Sequence, residues 1–309
     1  MSKQMKAAVF NQFGGGAEIM EIKRVPVPNL EKNQIRIKVM AAGLQPVDVK
    51  IRSGFFKDMV IDSPQLLGNE FSGIVVEVGS DVISVSKGGD HVIGWTTLSA
   101  HAEYVVINAN QVVKKPSHMS WEEAGALSAS GQTALMALDG IHISNGDTLL
   151  IHAAAGGVGT MAVQLARSRG IKVIGTSSEA NHDYLRRLGA IPIKYGDDLV
   201  DNVKKLVPEG VDAALDAAGP EALYASIKLV SSNDRIITTA SRHLIEKTGV
   251  KTVVGERTQA RLYQLTQLVE EGLLQVYVRK AFDLEDAVEA HREVETGHGH
   301  GKVVFTINQ

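Results

Sequence analysis

"TLLIHAAAGGVGTMAVQLARSRGIKVIGTSS", Thr148 to Ser178, decides the architecture. A short apolar run, Thr148 to Ile151, leads into a cluster of small residues. Beyond it Val158, Met161, Ala162, Leu165 and Ala166 recur at i, i+3, i+4, i+7 and i+8, the period of an amphipathic helix. Arg167 and Arg169 supply a basic last turn and Gly170 a left-handed stop. "KVIGTS" then reads as a second strand. Strand, glycine turn, helix, strand is the order of a dinucleotide-binding βαβ unit. In it the turn residues Ala155, Gly156, Gly157, Val158 and Gly159 have distinct duties. Gly156 lets the backbone approach a pyrophosphate, and Gly159 lets the helix pack on the strand. The free N–H groups of the first helical turn, with the helix dipole, attract the phosphates. Ala154 stands where the first glycine of that fingerprint is expected.

The end of the second strand selects the dinucleotide. An acid there holds the ribose hydroxyls of NADH and would repel the 2′-phosphate of NADPH. Ser177 and Ser178 occupy that end, with Arg186, Arg187 and Lys194 close behind, so NADPH is the expected cofactor. Glu179 is the dissenting acid, although a helix's first turn is an ordinary place for one.

Downstream, "AIPIKY", "VDAALDAAG" and "RIITTA" are separated by helical stretches, the alternation of a parallel, doubly wound α/β sheet. The carboxyl ends of such strands line the cofactor, which nominates the backbone around Ala217, Ala218 and Gly219 and from Thr239 to Ser241. Upstream, from Met5 to about Lys115, short Val- and Ile-rich alternating runs are cut by Gly, Pro, Asn and Asp clusters, as in a compact β-barrel. Ser120 is a helix N-cap for "WEEAG", so the boundary falls near Pro116 to Glu122. The tail, strand "LQVYVRKAF", helix "LEDAVEAHREVET" and strand "GKVVFTIN", fits either unit by periodicity.

Composition narrows the partners. The chain has 309 residues, 44% of them apolar, and its 32 basic and 35 acidic residues give a net charge of −3. There is no basic footprint for nucleic acid and no polybasic membrane anchor. The absence of cysteine removes disulfides, thiolate nucleophiles and thiolate-bound metals. "MSKQMKAAVF" lacks an apolar core for export, and the longest nearly apolar run contains His152 and Gln164, so a soluble cytoplasmic protein acting on a small molecule is expected. "GHGHG", Gly297 to Gly301, lacks a third ligand at metal-site spacing and reads as a flexible loop.

Six segments in order, "AAGLQPVDVKIRSG" (41–54), "LLGNEFSGIVVEVGSDV" (66–82), "GQTAL" (131–135), "AAAGGVGTMAVQLAR" (153–167), "LDAAG" (215–219) and "GKVVF" (301–305), resemble the medium-chain dehydrogenase/reductase superfamily. The match is to its zinc-free quinone oxidoreductase and enone reductase branch. The resemblance implies a GroES-like β-barrel substrate domain from residues 1–120 and 273–309 and a Rossmann domain from 121–272, with the active site between them. It implies hydride transfer from NADPH to a quinone or an α,β-unsaturated carbonyl, substrates whose own carbonyl delocalises the arriving charge. Gln45 and Asn69 stand where zinc-dependent relatives have metal ligands, so no metal is expected.

Other roles follow the same resemblance. Gln45, a catalytic candidate together with Lys50, replaces a usual asparagine, and Lys50 and Phe56 replace tyrosines of many quinone reductases. Some enone-reducing relatives share the lysine. Lys50 would then hydrogen-bond the substrate carbonyl as charge develops; otherwise it is a surface lysine or a partner of Asp48, itself read as organising the turn. Thr133 matches a contact to the nicotinamide half, and Tyr195 an aromatic beside the adenosine phosphate. "SGFFKDMVIDSPQ" and "HLIEKTGVKTVVG" would shape the substrate pocket, and Val250 to Glu256 reads as an exposed edge strand suited to a homodimer. A non-catalytic NADPH-binding sensor on the same fold would share every one of these features.

Overall fold

Alternation dictates the first sheet. In the computed structural model, which describes residues 3–56, 64–83 and 89–307, Ile35, Ile37 and Val39 are fully buried while Arg36 and Lys38 keep solvent access. Strands β1 (Gln4–Phe10), β2 (Glu21–Pro26), β3 (Gln34–Leu44), β4 (Gln65–Leu66), β5 (Glu70–Val78), β6 (His91–Trp95), β7 (Tyr104–Asn108) and β8 (Val112–Lys114) fill the N-terminal part. β2, β1 and β4 form a small antiparallel sheet. Residues 57–63, most of the "SGFFKDMVIDSPQ" loop, lie outside the described residues.

The capping box at Ser120 forms as expected: Glu123 N–H donates to Ser120 Oγ at 3.1 Å, and Ser120 N–H to Glu123 Oε2 at 2.9 Å. The helical pattern beyond it is split into α2 (Trp121–Gly125) and α3 (Ser128–Gly140). At the break the chain presses on β3, where a Cβ on Gly125 would stand 2.7 Å from the Ala41 carbonyl oxygen.

Six parallel strands follow: β9 (Thr148–Ile151), β10 (Lys172–Ser177), β11 (Ile191–Lys194), β12 (Ala213–Asp216), β13 (Ile236–Thr238) and β14 (Lys251–Thr252), in the spatial order β11-β10-β9-β12-β13-β14. Both faces are apolar, as a parallel sheet covered by helices requires. Leu149 and Ile151 pack toward α3, α4 (Gly157–Ser168) and α9 (Gln259–Glu270). Leu150 packs with residues of α6 (Leu199–Leu206) and α7 (Pro220–Leu229). The strand order reverses between β9 and β12, which puts a ligand crevice at their carboxyl ends. β14 is an edge, and Val254 just after it is 80% exposed.

The tail returns to the first sheet. After α10 (Ala287–Glu295), β16 (Lys302–Thr306) runs antiparallel to β3, Val304 opposite Gly43, and parallel to β15 (Val278–Asp283). The larger sheet therefore reads β15-β16-β3-β5-β6-β8, with β7 also on β3. Among the described residues no helix is long and apolar enough to cross a membrane.

Candidate active site

The glycine turn lies between β9 and α4. Ala153 takes the left-handed conformation, φ 52°, and its N–H donates to Thr176 Oγ1 at 3.3 Å. Ala154, the apparent defect in the fingerprint, is fully buried against β10, where a Cβ on Gly175 would stand 2.8 Å from its methyl. The missing first glycine is thus offset by a glycine on the neighbouring strand. Gly159 has no room for a side chain, since a Cβ there would be 2.2 Å from the Ala153 carbonyl oxygen. Gly156 is less tightly enclosed, its nearest such contact, the Ala153 carbonyl oxygen, being 3.3 Å away, still closer than ordinary van der Waals distance. Thr160 N–H bonds to the Gly156 carbonyl at 2.8 Å, which leaves the N–H groups of Gly157, Val158 and Gly159 ahead of it, available to an anion. Beneath the turn His152 is buried, its Nε2 2.9 Å from Ser226 Oγ, and burial lowers its pKa to about 4, so the ring is neutral.

The second strand ends on two hydroxyls in different environments. Ser177 is buried and donates to the Ser178 carbonyl at 3.0 Å, whereas Ser178 is half-buried and its Oγ accepts from Asn181 Nδ2 at 3.3 Å. Ser178 is the more open of the two. Glu179 pairs with Lys194 at 3.2 Å and Arg186 with Asp183 at 2.6 Å, so the dissenting acid has its own countercharge. Arg187 lies 6.0 Å from the Tyr184 ring, and Tyr195 is 56% exposed beyond β11.

Asp216, which the sequence reading passed over inside "LDAAG", builds the next rim. It is fully buried at the end of β12. Its Oδ1 accepts the N–H groups of Ala218 and Gly219 at 2.9 and 2.8 Å, and its Oδ2 accepts the hydroxyls of Thr238 and Ser241, both at 2.7 Å. Thr239 N–H reaches the Asp216 carbonyl at 2.8 Å. One carboxylate therefore brings Ala217 to Gly219 and Thr239 to Ser241 to one edge of the crevice, and the Ser241 side chain is spent on it. On the facing helix, Thr133 is the one residue from Ser128 to Leu138 that is not buried.

On the barrel side, α1 (Pro46–Arg52) begins just after Gln45. Asp48 accepts the Gln45 N–H at 2.8 Å and the Gly68 N–H at 3.1 Å; burial raises its pKa and lowers that of the equally buried His101. Asp48 organises the turn. Gln45 Nε2 donates to Glu70 Oε1 at 2.8 Å, so its amide is tied inward. Lys50 is half-buried with its ammonium 5.8 Å from the Phe55 ring, and no carboxylate among the described residues pairs with it.

Two further cations escaped the sequence reading. Lys302 on β16 donates to Glu70 Oε1 at 2.7 Å and to Ser130 Oγ at 2.8 Å, while Glu70 Oε2 accepts the Ala129 N–H at 2.6 Å. Both charges are buried. The same ammonium lies 3.7 Å from where a Cβ on Gly157 would stand, beside the start of α4. Arg257, ahead of α9, reaches the Asn69 carbonyl at 3.4 Å, and burial lowers its pKa against the pull of Glu70 and Asp48. The available signal was a charge inside an apolar strand segment, in "GNEF" and in "GKVVF", which must find a partner. "GHGHG" is a loop, as expected, and it has defined contacts: Gly301 N–H donates to the Ala155 carbonyl at 2.9 Å, and His300 is stacked on Tyr184 with ring centroids 4.1 Å apart.

Residues 31–117 match the family model described as alcohol dehydrogenase GroES-like domain, and residues 188–305 the one described as zinc-binding dehydrogenase. The chain is 30% identical to the 2-methylene-furan-3-one reductase of Solanum lycopersicum, over 98% of this chain and 79% of that protein. The structure of the quinone oxidoreductase from Coxiella burnetii aligns with a TM-score of 0.89 and 35% identity, covering 99% of this chain and 100% of that one. Escherichia coli quinone oxidoreductase complexed with NADPH aligns with a TM-score of 0.87 and 26% identity, covering 97% and 99%.

The donors at hand do not fit the zinc in the second family description. Gln45 and Asn69 are neutral amides, poor zinc ligands, already bonded to Glu70 and to Asp48. Among the described residues no three His, Cys, Asp or Glu side chains converge as a metal site.

Proposed function

Because this chain belongs to the medium-chain dehydrogenase/reductase family of oxidoreductases, in its quinone oxidoreductase and enone reductase branch, we propose that it reduces a quinone or an α,β-unsaturated carbonyl with NADPH and without metal. The observation that carries the cofactor half is the start of α4, with free N–H groups following Gly156, next to a second strand that Ser178 directly follows, where the acid Glu179 is already paired. When bound, the cofactor supplies a hydride from nicotinamide C4.

The chain's own residues do the rest. The N–H groups of Gly157 to Gly159, with Lys302 beside them, hold the pyrophosphate, and Ser178 with Arg187 holds the 2′-phosphate. Thr133 and the rim that Asp216 assembles border the nicotinamide. Lys50 donates to the substrate carbonyl oxygen as the hydride adds to the conjugated carbon; water delivers the proton that completes the reduction. Residues 1–120 with 273–309 form the substrate side and 121–272 the cofactor side. The exposed edge at β14 serves a homodimer.

Cofactor choice is the first test. Titration of the protein with NADPH and NADH is expected to show at least about tenfold tighter binding of NADPH, the yield of one charge-assisted hydrogen bond of about 1.5–3 kcal/mol. Ser178→Asp, which places a carboxylate at the more open hydroxyl, is expected to erase or reverse the ratio. Equal affinities in the unaltered protein would remove NADPH from the proposal.

A further inference from the structure

The loop Gly297 to Gly301 has no place in the roles above, yet it is built with care. Gly297, Gly299 and Gly301 have φ of 64°, 87° and 77°, left-handed values that fold the chain tightly between α10 and β16. They carry His300 to Asn181, just beyond the end of β10. Its ring packs against both Tyr184 and Tyr277, with centroids 4.1 and 4.5 Å away and the two tyrosines 5.5 Å from each other, and the buried Tyr184 reaches Thr160 of α4 at 3.4 Å. Nδ1 of His300 is 3.1 Å from Asn181 Oδ1, and Asn181 Nδ2 is 3.3 Å from Ser178 Oγ. An amide oxygen only accepts, so the His300 Nδ1–H donates to it. The Asn181 amide then donates to a Ser178 lone pair, which leaves the serine hydroxyl proton for another acceptor. Burial, with Arg187 and Arg279 nearby, lowers the His300 pKa, so the ring is the neutral donor near pH 7.

Building on the NADPH reading above, we infer that His300 is a positioning residue for the adenosine 2′-phosphate: through Asn181 it holds Ser178 with its O–H free to donate to a phosphate oxygen. The C-terminal loop thereby sets cofactor choice from outside the βαβ unit. Arg187, on the same side, supplies the positive charge.

Two substitutions separate this role from bracing. His300→Phe keeps an aromatic ring and removes the donor; His300→Asn keeps a donor near the Nδ1 position and removes the ring. Dissociation constants of NADPH, NADH, 2′,5′-ADP and 5′-AMP are measured for the full chain. His300→Phe is expected to weaken NADPH and 2′,5′-ADP about tenfold and to leave NADH and 5′-AMP within about twofold, with His300→Asn close to the unaltered protein. If His300→Phe weakens both ligand classes alike, or neither, or if only His300→Asn loses the preference, the inference is overturned. If the unaltered protein binds 2′,5′-ADP no better than 5′-AMP, the NADPH reading itself fails, a result distinct from one in which only the variants disagree.

Discussion

Glu70→Gln is expected to destabilise the protein by about 3–5 kcal/mol in denaturant unfolding, because it leaves the Lys302 ammonium buried without its countercharge. The pair is 2.7 Å apart, with side chains 0% and 4% exposed, and it ties β5 to β16 while Ser130 and the Ala129 N–H bring in α3. Gly43 makes the arrangement possible, since a Cβ there would stand 2.2 Å from Glu70 Oε1. Lys302→Met should cost a similar amount for the mirror-image reason. In the double variant the glutamine still offers an acceptor to the Ala129 N–H and no orphan charge remains, so the two losses should overlap strongly instead of adding. Additive losses would show that the two side chains do not act as a pair.

Lys50→Met is expected to lower kcat by about 10²–10³ while the NADPH dissociation constant barely moves, the usual effect of deleting one donor to a developing oxyanion. An ammonium with no carboxylate partner among the described residues is available for that work; one already neutralised would not be. A fall in NADPH affinity with little change in kcat would mean that Lys50 holds cofactor phosphate or ribose. If kcat is unchanged and Arg257→Met lowers it instead, the donor is the guanidinium that reaches the Asn69 carbonyl.

What the sequence made legible was local. The glycine turn and α4 follow from spacing within about thirty residues, and the N-cap at Ser120 from a four-residue pattern. β3 shows its alternation in its own letters. Ala154 looked like a damaged motif because the compensating Gly175 lies on another strand. The Glu70–Lys302 pair joins positions 232 residues apart, and Asp216 collects partners from Ala218 to Ser241, so neither could be read from neighbours in the chain. The tail's return to β3 is likewise a long-range pairing that periodicity alone left open and the family resemblance decided. His300 was hidden for a different reason: glycines on both sides predict a loop, and they say nothing of what that loop packs against.

The most direct test is the loss of 340 nm absorbance from NADPH when the chelator-treated protein is mixed with a panel of quinones and α,β-unsaturated carbonyls. Turnover of at least one of these substrate classes, faster with NADPH than with NADH and undiminished by the chelator, is the predicted result. NADPH binding without turnover on any of them would contradict the account and assign the fold to a cofactor-binding sensor; activity restored only by added Zn²⁺ would contradict its metal-free chemistry.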